Sequence, residues 1–242
     1  MRVSRLYIDA PLQTGQTTEL DADAAHYARD VLRLKAGQTL ILFNGHGGEY
    51  HSRLQEVSRK RVSADILQHT ERDVESPLAV HLGLGISRGD RMDWALQKAA
   101  ELGVAAITPL ITERCVIKFD ADKKQQRLEH WRGILRHAAE QCGRARLTAL
   151  HEVTPLDGWT PPAADLKLLL HPDAEHGLGS LPAQPRNVVL LSGPEGGFSE
   201  RERQLAQSLN FTPVRLGPRI LRTETAVLGA LSAMQTLWGD FR

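Results

Sequence analysis

Between residues 188 and 238 the rhythm of apolar and polar positions changes repeatedly. Val188, Val189, Leu190 and Leu191 form an unbroken apolar run, which predicts a short strand covered on both faces. Residues 193–197, GPEGG, interrupt it. Ser199 then opens a helix, with Glu202 at the spacing of a capping box and Leu205 and Leu209 on the apolar face. A second strand is predicted over 213–216, broken by Gly217-Pro218 into a loop, Arg219-Ile220-Leu221-Arg222, before a last helix starting near Thr223. Small or apolar residues in that helix (Ala226, Val227, Ala230, Leu231, Ala233, Met234 and Leu237) spread over more than one face. It is therefore expected to be covered by the rest of its domain or by a partner subunit.

The preceding chain divides near residue 72. Before it, the pattern predicts a strand at 5–8, a helix over 24–32 capped by Asp23, and strands at 39–43, 49–57 and 61–67 joined by turns at 44–48 and 58–60. That is a meander or small barrel. Residues 71–77 are charged and end in proline, a linker signature. A glycine-containing strand at 79–86, a helix over 91–102 capped by Asp90 and closed by Gly103, and a strand at 104–110 then form a unit expected to be parallel and right-handed. Trp131, Ile134, Leu135, Ala138 and Ala139 recur at helical spacing, and Trp131 reads as core. An apolar strand at 166–170 ends in His171-Pro172, followed by a surface loop over 173–184. The fold class expected is α/β, with a parallel-sheet domain over 73–242 preceded by a small β domain over 1–72.

Charge refines this picture. The net formal charge of the 242 residues is +1, so nucleic-acid binding would need local clustering. Arg29, Arg33, Lys35, Arg53, Arg59, Lys60 and Arg61 offer one phosphate-binding face. Over 118–146, Lys123, Lys124, Arg127, Arg132, Arg136, Arg144 and Arg146 outweigh Asp120, Asp122, Glu129 and Glu140. A merely solvated face is the alternative for each. Cys115 and Cys142 lack a Cys-x-x-Cys spacing and are expected as reduced thiols. No apolar run approaches membrane-spanning length and no signal-like segment opens the chain, so a cytoplasmic location is expected.

The two glycine-bearing loops are expected to leave adjacent strands at the carboxyl end of a sheet, where ligands of open α/β folds sit. Neither carries a phosphate fingerprint, and Glu195 would repel a pyrophosphate. A neutral or cationic ligand suits them better; a tight turn with no ligand is the alternative. His171 has no partner at metal-ligand spacing and no nearby nucleophile. It is either a loop residue beside the ligand or an ordinary strand end. Arg88, in the loop 87–89, can grip a phosphate or a base edge, whereas Lys98 and Glu101 read as a surface pair.

The segments LLSGPEGGFS at 190–199 and LGPRILRTETA at 216–226 resemble the RsmE family, SPOUT-class methyltransferases that modify N3 of a uridine in 16S ribosomal RNA. The resemblance extends over nearly the whole chain. It implies a C-terminal trefoil knot, an N-terminal PUA-like barrel that binds RNA, S-adenosyl-L-methionine as cofactor, the small ribosomal subunit or its 16S RNA as partner, and a homodimer. Carried over by position, the first motif implies cofactor binding by Ser192, Gly193, Pro194, Glu195, Gly196 and Gly197. The second implies Leu216, Gly217, Ile220, Leu221, Thr225 and Ala226, with Leu170 and His171 at a third strand end. No metal is expected. The catalytic candidates are Glu224 as a base, and Arg222 or Arg88 as a cation that stabilises the uracil anion. Dipole stabilisation at a helix start also explains Glu224. The RNA-binding candidates are Arg29, Arg33, Lys35, Arg59, Lys60, Arg132, Arg136, Arg144 and Arg146. The competing function is an RNA-binding ribosome-assembly factor with an inert cofactor fold; a dinucleotide-dependent oxidoreductase is disfavoured by the missing fingerprint.

Overall fold

A computed structural model describes residues 3–115, 121–181 and 184–241. The opening of the basic stretch at Lys118, with Asp120, and two residues of the 173–184 loop lie outside that range. The chain forms two compact units, Met1–Glu75 with Ala139–Leu147, and Ser76–Ala138 with Thr148–Arg242. That residues 139–147 group with the N-terminal unit had no signal in the sequence.

In the N-terminal unit the elements are β1 (Arg5–Tyr7), β2 (Thr17–Glu19), α1 (Ala22–His26), β3 (Thr39–Phe43), β4 (Glu49–Val57) and β5 (Val62–Thr70), with a π-helical turn at Tyr27–Val31. The sheet order is β1-β3-β4-β5-β2, with only the β1–β3 pair parallel. Alternation in β3 to β5 turns Leu40, Leu42, Leu54, Ala64 and Ile66 into one buried cluster with Leu6 and Ala28. The polar edge strand β2 escaped the hydrophobic pattern because Thr17-Thr18-Glu19 carries no apolar residue. Asp21, not Asp23, caps α1, accepting a hydrogen bond from the Ala24 amide at 2.8 Å. The expected helix does not continue regularly to Leu32; it widens into the π turn, closed by the Leu32 amide on the Tyr27 carbonyl.

Arginines tie the 139–147 segment to the rest of this unit. Arg5 pairs with Glu49 with both side chains almost wholly buried, Arg72 reaches the same carboxylate at 2.6 Å, and Arg5 also donates to the Arg144 carbonyl. Arg144, 4% exposed, grips Glu75 through Nε and Nη2 at 2.5–3.1 Å. Burial works to raise the Glu49 carboxyl, but the hydrogen bonds and charges of Arg72 and Arg5 outweigh it and hold the group below its ordinary value.

The second unit comprises β6 (Ala79–Gly85), α2 (Asp90–Glu101), β7 (Ala106–Ile111), most of α3 (Ala121–Cys142), β8 (Ala149–Leu150), β9 (Thr154–Pro155), β10 (Leu166–Leu170), β11 (Asn187–Ser192), α4 (Glu200–Ser208), β12 (Thr212–Val214) and α5 (Thr223–Trp238). Its sheet runs β12-β10-β11-β6-β7-β8 with β9 also on β7, every pair parallel. The expected adjacency of the two glycine-loop strands is corrected here: β10 lies between β11 and β12.

Side-chain alternation in β6 divides the unit. Val80, Leu82, Leu84 and Ile86 point to one face and join Leu96, Ala99, Trp131, Val227, Leu231 and Met234 in the larger core. His81, Gly83 and Gly85 point to the other. There a Cβ on Gly83 would lie 2.6 Å from the Trp159 ring, and one on Gly85 would lie 2.5 Å from Cδ of Pro194. These two glycines let the aromatic layer and the 193–197 loop rest on the strand backbone. α2 starts from Gly89 at φ +52°, where a glycine avoids the strain of a left-handed side chain. Asp90 is thus the first helical residue and not the cap.

Candidate active site

Parallel pairing brings the carboxyl ends of β10, β11 and β12 side by side, and the loops that leave them enclose a cavity of about 590 Å³. Each loop is fixed by its own hydrogen bonds. The His171 amide donates to the Val214 carbonyl at 3.0 Å, and the Arg215 amide to the His176 carbonyl at 2.9 Å. After β11, the Gly197 amide closes a turn on the Pro194 carbonyl at 2.8 Å. α4 begins with the capping box read from the sequence: the Glu202 amide donates to Ser199 Oγ at 3.2 Å and the Ser199 amide to Glu202 Oε2 at 2.8 Å. Glu202 Oε1 also accepts from the Glu113 amide at 2.8 Å, so one buried carboxylate fixes the helix start against the end of β7.

Backbone closeness defines the wall. A Cβ on Gly196 would meet Arg114 Cβ at 2.9 Å, and one on Gly193 would meet the Phe198 ring at 3.1 Å. Gly197 and Gly217 have φ of +65° and +71°. Arg114 Nη1 donates to the Gly196 carbonyl at 2.9 Å. Glu195 does not face a ligand as a free charge: its Oε1 accepts from the Arg88 amide and from Arg91 Nη1, both at 3.1 Å. Burial works to raise its carboxyl, but the backbone donors and Arg91 prevail and hold it below the ordinary value. The sequence suggested a carboxylate that selects its ligand by charge; the structure shows one that ties the loop to the start of α2.

Of the residues expected to bind a cofactor, Leu170, His171, Ser192, Gly193, Pro194, Glu195, Gly196 and Gly197 line the cavity. So do Leu216, Gly217, Ile220, Leu221 and Ala226. Thr225 is exposed and is not among the lining residues. Among the catalytic candidates Arg222 lines the cavity, whereas Arg88 and Glu224 do not. Glu224 Oε2 is buried and makes no hydrogen bond among the described residues. His171 Nδ1 accepts from the Asp173 amide at 3.2 Å.

The lining also includes Arg91, Arg114, Arg203, Arg215 and Arg219, which the motifs did not single out. Arg91 and Arg114 reach it from other elements, contacts that depend on the packing. Arg203 sits one turn into α4, paired with Glu200. Arg215 and Arg219 stand within or beside the second motif, and the alternation of arginine with leucine there was the available signal.

The basic faces separate by environment. In the N-terminal unit Arg33, Lys35, Arg59 and Lys60 are exposed, while Arg29 is half-buried, paired with Asp30 at 2.6 Å and donating to the Ser58 carbonyl. Arg146 is exposed, but Arg144 is buried and held by Glu75, so it stands on no exposed basic face. On α3, Arg132 is exposed at 3.4 Å from Glu152 and Arg136 is half-buried.

An RNA methyltransferase domain family matches residues 74–235, and an RNA methyltransferase PUA domain family matches residues 20–67. The ribosomal RNA small subunit methyltransferase E of Buchnera aphidicola (subsp. Schizaphis graminum) is 35% identical, covering 99% of this chain and 98% of that one. Its counterpart in Bacillus subtilis is 30% identical over 92% and 91%. Among solved structures, the Neisseria gonorrhoeae ribosomal RNA small subunit methyltransferase E bound to S-adenosyl methionine superposes with a TM-score of 0.91 at 39% identity, covering both chains completely. A Legionella pneumophila protein solved with bound SAM gives 0.97 at 43%, also over both whole chains. Motifs, domain order and whole-chain similarity agree, and the chain belongs to the family of ribosomal RNA small subunit methyltransferases E, the RsmE family.

Proposed function

We propose that this chain transfers a methyl group from S-adenosyl-L-methionine to N3 of one uridine of 16S ribosomal RNA in the small ribosomal subunit. The observation that carries the reading is the cavity shared by both motif loops and the His171 loop. Its residues fit the cofactor. Leu170, Leu216 and Leu221 provide an apolar wall for a purine ring; Gly193 and Gly196 let the first loop pack against Phe198 and Arg114 where a Cβ would press on them, and Gly217 takes a positive φ that favours glycine. The bound cofactor supplies a methyl group activated by a sulfonium.

The protein's work is orientation and charge control. Uracil N3 is a weak nucleophile while it keeps its proton, so the site must hold the imide in line and favour the anion left when the proton departs. Arg222, at the start of α5 and on the cavity wall, is the group assigned to the uracil carbonyl oxygens. Glu224 lies two residues on, in the first turn, with one oxygen buried; stabilisation by the helix dipole accounts for its position better than proton abstraction does. N3 lies on the Watson–Crick edge, so the target must be unpaired or flipped.

The proposal includes a homodimer in which Ile220, 88% exposed, is covered by the partner. It also includes the knotted backbone, supported by the chain's return from β12, paired with β10, to α5, which packs on β11 and the 178–180 turn. It further takes the domain boundary at 72/73, three residues before the division between the compact units, and a cytoplasmic location, in keeping with a ribosomal substrate. Among the described residues no helix is long and apolar enough to cross a membrane.

The test is incubation of the purified protein with S-adenosyl-L-methionine and small subunits or 16S RNA from cells lacking the gene, followed by nucleoside mass spectrometry. One 3-methyluridine per RNA is expected. Methyl on another atom, or none together with no calorimetric binding of S-adenosylhomocysteine, would overturn the reading, the latter in favour of an assembly factor.

A further inference from the structure

The loop from 215 to 222 reads Arg-Leu-Gly-Pro-Arg-Ile-Leu-Arg, and the structure sorts it by chemistry. Leu216 and Leu221 are half-buried on the cavity wall, while Arg215, Arg219 and Arg222 are exposed and line the same cavity. The other lining arginines are engaged: Arg91 with Glu195, Arg114 with the Gly196 carbonyl, Arg203 with Glu200. Among the described residues the side chains of Arg215, Arg219 and Arg222 make no hydrogen bond or ion pair. Arg215 is nevertheless set in place, because its amide bonds the His176 carbonyl and its backbone bridges to Gly177. A chain of net charge +1 with 29 acidic residues has thus left a run of guanidiniums uncompensated at one cavity.

Resting on the methyltransferase reading, we infer that Arg215 and Arg219 form a phosphate lip: they hold the backbone of single-stranded RNA on either side of the target nucleotide while its base enters the cavity. Three features favour RNA phosphate over the cofactor's carboxylate. A carboxylate needs one guanidinium, and several stand here. Their exposure suits a polymer passing over the rim. Guanidinium forks match phosphate oxygens bidentately. An unpaired nucleotide delivered to a cavity must bring its neighbouring phosphates with it, so a cationic rim lowers KM without touching the reacting atoms. Arg215 and Arg219 are therefore positioning residues, distinct from Arg222 at the uracil.

The experiment measures methyl transfer to 16S RNA or small subunits at several salt concentrations for the wild type, R215Q, R219Q and the double variant, with S-adenosylhomocysteine affinity by calorimetry and oligomeric state by light scattering. Each single variant is expected to raise KM for RNA by roughly tenfold, with a much smaller change in kcat. The slope of log(kcat/KM) against log salt should become shallower by about 0.7 for each phosphate no longer held. Cofactor affinity and oligomeric state should be preserved, and R219K should recover part of the KM. An unchanged salt slope in the double variant overturns the lip, as does a loss confined to cofactor affinity or to oligomeric state. If the wild type itself transfers no methyl group, the failure belongs to the methyltransferase reading.

Discussion

Arginine serves opposite ends in the two units. In the N-terminal unit Arg5 and Arg144 are buried and matched by Glu49 and Glu75; at the cavity Arg215, Arg219 and Arg222 are exposed and make no ion pair among the described residues. Net charge cannot tell these apart, nor can local sequence, since Arg144 and Arg146 stand two positions apart and only Arg146 is exposed. A guanidinium withdrawn from water needs a carboxylate, and the pair then contributes to the integrity of the fold. A guanidinium left in water with no partner contributes little to stability and remains available to an anion.

That contrast is sharpest at Glu49. Replacing it in E49Q leaves Arg5 buried without its counter-charge, and the expected cost is about 3–5 kcal/mol in urea or thermal unfolding. The same pair gives a sign in pH. With the folded carboxyl held below its ordinary value of 4.5, its stabilisation is present above that value and is lost as pH falls through the lower folded one. A variant as stable as the wild type would erase the distinction between the two kinds of arginine.

R222Q should show the complementary result. Its unfolding midpoint should move little, while kcat falls by roughly 10²–10³-fold, the range for removing one donor to a developing anion. A stability loss comparable to that of E49Q would mean that the cavity arginines are structural after all.

Charge is not the only means of positioning, which G85A tests. Its added Cβ would lie 2.5 Å from Pro194 Cδ and 2.9 Å from the Gly193 carbonyl carbon, so the first motif loop must shift. The expected cost is about 1–3 kcal/mol of stability, with at least a severalfold loss of S-adenosylhomocysteine affinity by calorimetry. Full affinity would show that the loop's seat on β6 does not shape the cavity.

Histidine offers a smaller case of the same rule. Burial on the sheet, and next the charge of the stacked His151, push His81 down to about 4. Because the unfolded group takes a proton near 6.5, stability should be full above that pH and decline as pH falls toward 4, by at most about 2 kcal/mol after allowing for partial exposure. A pH series of unfolding midpoints should flatten in H81Q. Smallest of all, K98A removes an i,i+3 pair with Glu101 at 2.8 Å, worth less than about 0.5 kcal/mol; a clear rise in KM for RNA would show that Lys98 belongs with the cavity arginines.

Local pattern was enough wherever neighbours in sequence settle the matter. Strands 39–43 and 166–170, the Ser199–Glu202 capping box and the start of α5 at Thr223 follow from alternation, apolar runs and short-range hydrogen bonds, and the two motifs together with the end of the 166–170 strand located three loops of the cavity. What remained hidden depends on distant partners. The insertion of β10 between β11 and β12, the return of residues 139–147 to the N-terminal unit, the pairing of Glu195 with Arg91 and the seating of the 193–197 loop on Gly85 join residues far apart in the chain. Sequence determined which residues could form strands, turns and cations, because those tendencies reside in a few neighbouring side chains. Tertiary structure alone decided which cations were neutralised and which were left to solvent, because desolvation and pairing are set by what the rest of the chain packs against them.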